Sequence, residues 1–124
     1  MKTIPYILSV LMCVIIGMLT ACSSKTDEPA NFTEVGQAAS IYPDYKDIII
    51  PPNIAPLNFL VRTPGEKFVA VLTSSEGKRL LASASHGSTL QFNAEQWKSL
   101  LSVSRGKEIQ VQVYTYTEKK WLRF

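Results

Sequence analysis

Prolines at 43, 51, 52 and 56 interrupt the stretch IYPDYKDIIIPPNIAPLNFLV, residues 41 to 61, and nothing else in the chain limits its possible folds so sharply. Proline fixes its own φ, has no N–H to give to a helix, and pushes the preceding residue toward extended geometry. Helix is excluded there. The apolar runs between the prolines predict edge or bulged strands over Asp47 to Ile50 and Leu57 to Val61, around a Pro51-Pro52-Asn53 turn.

The chain beyond Val61 is also strand-like. Lys67 to Ser74 (KFVAVLTS) has β-branched and aromatic content on both alternating faces. Ser75-Glu76-Gly77 supplies a turn, with Gly77 suited to positive φ, and Lys78 to Ser85 returns as the hairpin partner. Ser88 to Phe92 is a further short strand after the His86-Gly87 turn. Asn93 reads as a helix cap with Gln96 three residues on, and Trp97, Leu100 and Leu101 then share one face at helical spacing. Glu108 to Thr117 (EIQVQVYTYT) alternates most cleanly, and Thr117 to Lys120 turns it into Trp121 to Phe124. The expectation is a mainly β, immunoglobulin- or fibronectin-like sandwich with one short helix near 94 to 102, occupying 41 to 124. Such sandwiches use about 100 residues, so the module reads as minimal or incomplete, and a chain ending on Phe124 in mid-strand fits either description.

The amino terminus has its own logic. Lys2 precedes the apolar run Ile4 to Leu19, the architecture of a secretion signal over residues 1 to 21. Leu19-Thr20-Ala21-Cys22 resembles the lipobox of bacterial lipoproteins, which implies that the Cys22 thiol receives diacylglycerol and its freed amine a fatty acyl chain such as palmitate. A plain secretory signal or a retained membrane helix is the alternative. Each buried methylene contributes about 0.8 kcal/mol, so several acyl chains would hold the protein to a membrane durably. Residues 22 to 40 then read as a polar tether, with residues 30 to 40 extending it or forming one helical turn. Ser23 after the modified cysteine resembles lipoproteins passed to the outer membrane, and the Lys25, Asp27, Glu28 cluster resembles a surface-export signal, with the membrane face left open.

Composition narrows the chemistry. The net charge is +3, from 13 basic and 10 acidic residues, without a basic stripe carrying interleaved aromatics, which argues against nucleic acid as a partner. The two cysteines, Cys13 in the apolar run and Cys22, are both spoken for, leaving no thiol for a disulfide, metal or redox role. His86 is the lone histidine and lies in a Ser-His-Gly turn, where solvation is the ordinary fate. Ser85 beside it lacks a nucleophile elbow. Asp44 and Asp47 read as turn residues, not calcium ligands. No catalytic set, metal site or cofactor is expected. The remaining candidates are aromatic: Tyr42, Tyr45, Tyr114, Tyr116 and Trp121 as a recognition platform. The competing expectation is that Trp97 and Trp121 fill the core while the tyrosines cap its ends.

The stretch IYPDYKDIIIPPNIAPLNF, with AEQWKSLL, EIQVQVYTY and KKWLRF, resembles the amino-terminal region of Bacteroidetes lipoproteins of the TolB-like or PD40 propeller type. The resemblance covers most of residues 41 to 124 and implies a sandwich-like module that precedes a β-propeller. No blade repeat is present in this sequence. Two functions are therefore in competition: a non-catalytic envelope module that docks another protein through a membrane-anchored domain, and a carbohydrate-binding accessory module that takes a glycan on its tyrosines.

Overall fold

The structure, a computed structural model, describes residue 26 and residues 28 to 124. It is mainly β, with two sheets and one short helix in a sandwich-like arrangement. The strands are β1 (Thr33–Glu34), β2 (Ile41–Tyr42), β3 (Phe59–Val61), β4 (Lys67–Ser74), β5 (Arg79–Ser85), β6 (Thr89–Leu90), β7 (Ile109–Thr117) and β8 (Lys120–Arg123), with helix α1 (Ala94–Val103) between β6 and β7. The larger sheet has the order β1-β8-β7-β4-β5 and the smaller β2-β3-β6.

Local chemistry explains the connections. Gly77 turns the β4–β5 hairpin at φ 81°, left-handed backbone that costs glycine nothing. The β7–β8 hairpin closes through Glu118 and Lys119, both at positive φ, the turn whose twist matches that of the flanking strands. Asn93 caps α1 as expected, its Oδ1 accepting the N–H groups of Glu95 and Gln96 at 3.0 Å.

The pleat sorts β4 and β7 into two faces. Phe68, Ala70 and Leu72 stand opposite Thr115, Val113 and Val111 on the inner face. Phe68, Ala70, Leu72 and Val113, with Phe59, Val61, Leu90, Phe92 and the α1 residues Trp97, Leu100 and Leu101, enclose the main core. Val69, Val71 and Tyr114 form a second buried cluster on the outer face, with Trp121 packed against it. Gly65 lets Thr115 and Phe68 close over it: a Cβ there would meet Thr115 Cβ at 3.0 Å and the Phe68 ring at 3.2 Å.

Five expectations change. Asp47 to Ile50 is not a strand, because Asp44 Oδ1 accepts the Lys46 N–H in a local turn and Asp47 adopts φ 53°. Leu57 to Val61 narrows to β3, and Ser88 to Phe92 narrows to β6 because the Phe92 N–H is taken by Asn58 Oδ1 at 2.9 Å. Residues 30 to 40 contribute a strand, β1, parallel to β8 through Thr33–Leu122 and Glu34–Arg123. Trp121 packs on the outer face of the large sheet and only Trp97 fills the space between the sheets.

Candidate functional site

The two sheets differ in reach, and the difference opens a cleft. The smaller sheet, through β6, packs over β4 and β5. The first half of β7 is left without a facing strand, and its roof is the proline-rich loop, of which Tyr45, Ile50, Ile54 and Leu57 pack against the core. Trp97 fixes that loop, its indole N–H donating to the Ile54 carbonyl at 3.1 Å. Between loop and sheet lies a cleft of about 1150 Å³, floored by Ile109, Val111, Val113 and Phe124 and closed at its inner end by Trp97 and Leu101.

Its lip is apolar to an unusual degree for an exposed surface. Ile49 is 96% exposed, Ile48 45% and Val111 44%, and all three line the cleft. Exposed leucines or isoleucines singly need no explanation, but a cluster around a concave space marks a contact surface. Lys46, Arg105, Lys107 and Glu108 stand exposed among the lining residues. An apolar floor with charges of both signs about it resembles the anatomy of protein interfaces, which place apolar contact inside a polar rim.

The aromatic candidates do not converge on this place. Tyr45 lines the cleft, whereas Tyr42 is exposed on β2 with the Arg62 guanidinium 4.6 Å from its ring centroid. Tyr114, Tyr116 and Trp121 lie on the outer face of the large sheet. There Tyr114 is fully buried beneath the amino-terminal segment, with Phe32 edge-on at 5.4 Å and its hydroxyl donating to the Glu28 carboxylate. Burial first, and then the hydrogen bond and charge of Glu28, raise the Tyr114 pKa well above the ordinary 10.0. Tyr116 and Trp121 are half-buried, rings 5.2 Å apart and tilted by 58°. The segment that holds these groups also includes Thr26, whose carbonyl accepts from Arg79, and Glu34, paired with Arg123. Cys22 lies outside the described residues. His86 is exposed in its bend.

The residues that build the cleft were hard to single out from sequence. Ile48, Ile49 and Ile50 read as strand core because a run of isoleucines is ordinary strand material, and only the flanking Asp47 turn leaves two of them in solvent. Val111 has the alternation of a buried position, yet it lies exposed in the cleft. Among known protein families, curated proteins and solved structures, none matches this chain.

Proposed function

We propose that the chain is a non-catalytic lipoprotein module, held at the bacterial outer membrane by lipid on Cys22, that docks another envelope protein in its apolar cleft. The observation carrying this reading is the cluster of Ile48, Ile49 and Val111 in solvent around a concave space of about 1150 Å³. Exposing such side chains to water is unfavourable by about 25 cal/mol per Å² of apolar surface, a cost a partner would recover.

The strand order supports an immunoglobulin-like identity for the sandwich. A sheet of β8-β7-β4-β5 with a parallel first strand, against a β3-β6 pair, parallels the GFCC′ and BE arrangement of variable-type domains, with α1 in the E–F connection. It also agrees with the resemblance to the module that precedes the propeller in TolB-like lipoproteins. The carbohydrate reading starts from Tyr114 and Tyr116, but Tyr114 is fully buried, and the tilted, half-buried rings of Tyr116 and its neighbour Trp121 form no flat platform for a sugar.

The test is crosslinking of the full-length protein in membranes, with a photoreactive side chain at position 49 and mass-spectrometric mapping of the adduct. The expected result is one envelope protein crosslinked at the cleft and released by Val111→Lys. Glycan-array binding lost in Tyr116→Ala/Trp121→Ala, with no protein adduct, would replace this reading by the carbohydrate one.

A further inference from the structure

Part of the segment that reads as a tether is fastened across the outer face of the large sheet. At one end β1 pairs with β8, Thr33 opposite Leu122, and the Val35 N–H donates to the Arg123 carbonyl at 3.0 Å. The Arg123 guanidinium lies 4.4 Å from the Phe32 ring centroid and pairs with Glu34. Phe32 stands edge-on to Tyr114, whose hydroxyl donates to Glu28. At the other end the Thr26 carbonyl accepts from the Arg79 guanidinium. The ladder gives this strap a direction. Thr33 lies in the row of Leu122, Thr115 and Phe68, whereas Arg79 lies in the row of Thr73 and Gln110, five residues further along β4. The strap therefore crosses the sheet diagonally, moving about 17 Å along the strands. It reaches Arg79 at the end of the sheet that carries the β4–β5 turn.

Only Ser23, Ser24 and Lys25 separate Thr26 from Cys22. Those four Cα steps span at most about 14 Å even when fully extended. A lipid on Cys22, with its acyl chains in the hydrocarbon, would keep Arg79 close to the headgroups. Resting on the lipid anchor proposed above, we infer that the end of the domain formed by Ser75 to Arg79 lies against the headgroups of the membrane that holds the lipid, with the strands of the large sheet standing up from it. The chemistry of that end suits an anionic lipid surface. Ile109 pairs with Ser74 and so brings the α1–β7 connection, Ser104 to Glu108, beside the β4–β5 turn. Lys78, Arg79, Arg105 and Lys107 there outweigh Glu76 and Glu108, and basic side chains near anionic headgroups are attracted to them.

Charge alone does not choose between the two ends of the sheet. The opposite end is basic as well, with Lys67, Lys119 and Lys120 against Glu66 and Glu118. The tether chooses. That end stands about 24 Å away, the length of the eight-residue strand β4, which is more than four Cα steps can cover. The strap lies on the outer face of the sheet and the cleft floor on the inner face. An upright sheet therefore leaves the cleft accessible from the side, to a neighbour at the same membrane.

The experiment uses the full-length protein, purified from membranes and reconstituted in vesicles of phosphatidylethanolamine and phosphatidylglycerol. A fluorophore is attached through one introduced cysteine at an exposed site, Ser75→Cys, Ala84→Cys or Glu66→Cys. Ser75 lies in the β4–β5 turn, Ala84 towards the far end of β5, and Glu66 at the opposite end of the sheet. Quenching by a lipid with a nitroxide on its headgroup reads the height of each site. Because the headgroup layer of one leaflet is only about 5–8 Å thick, the Ser75 site should be quenched at least about threefold more than either other site. Inserting about 15 Gly/Ser residues between Ser24 and Lys25 adds about 20 Å of reach outside the fold, and should bring the three sites to similar quenching. Equal quenching of Ser75 and Ala84 would lay the β5 edge on the membrane and overturn the proposal. Stronger quenching of Glu66, or a pattern unchanged by the longer tether, would overturn it too. Mass spectrometry of the amino-terminal peptide separates the two readings. With lipid found on Cys22, quenching that does not favour Ser75 removes this orientation and leaves the anchor standing; with no lipid there, anchor and orientation fall together.

Discussion

Replacing Trp97 by phenylalanine tests how the cleft is kept open and roofed. Trp97 is 3% exposed, stacks near Phe92 with centroids 6.0 Å apart, and donates its indole N–H to the Ile54 carbonyl at 3.1 Å. Phenylalanine keeps the ring contact and deletes the donor. The lost hydrogen bond is worth about 1 kcal/mol net, and Ile54 is half-buried, so water can partly replace the donor. The smaller ring gives up roughly 50 Å² of buried apolar surface, worth about 1.2 kcal/mol at about 25 cal/mol per Å². Together these predict a loss of about 2 kcal/mol, out of the roughly 5–15 kcal/mol that holds a typical domain. With a urea slope of about 1–1.5 kcal/mol/M for a domain of this size, the unfolding midpoint should fall by roughly 1.5–2 M at unchanged slope. Limited proteolysis is the second assay: the loop from residue 43 to 56 should be cut faster, because its tie to the helix is gone. A midpoint shift below about 0.5 M, with unchanged cleavage of the loop, would refute the claim that the indole fixes the roof.

Three further outcomes are expected. Asn93→Ala removes the acceptor for two N–H groups at the start of α1 and should destabilise by about 1 kcal/mol in urea unfolding. Thr115→Val replaces a fully buried hydroxyl that has no hydrogen-bond partner among the described residues by a methyl group of similar shape, and should stabilise by about 1 kcal/mol, read as a thermal midpoint higher by about 4–8 °C. Because the Tyr114 pKa is raised in the fold, the unfolded chain loses this proton first; the stability that Tyr114 contributes is present below about pH 10 and declines above it. Tyr114→Phe should flatten that alkaline decline in a pH series of denaturant midpoints, and an unchanged slope would show that Tyr114 does not cause it.

The β4–β5 hairpin, the capped helix and the β7–β8 hairpin were legible in the sequence because each is specified locally. Gly77 meets a backbone demand, Asn93 satisfies donors within its own first turn, and the Ile109 to Thr117 alternation is a period of two that needs only one neighbour to express it. The proline-rich stretch was legible in what it forbids. Its strands were over-predicted because Asp47 to Ile50 has strand-like composition, and a turn centred on Asp44 and Asp47 overrides composition.

By itself, then, the sequence determined the mainly β character, the place of the single described helix and the absence of helix from residues 41 to 61. Tertiary structure alone decided which side of β7 is covered. Val111 and Val113 are equivalent in the alternation, yet Val113 is 3% exposed and Val111 44% exposed: Val113 sits in the core cluster beside Phe124, while Val111 lies in the open part of the cleft. The same holds for the tyrosines: their spacing on β7 fixed the face they share, while the return of the amino-terminal segment across that face buried Tyr114. Long-range covering is a property of how separate segments meet in space, and no local period encodes it.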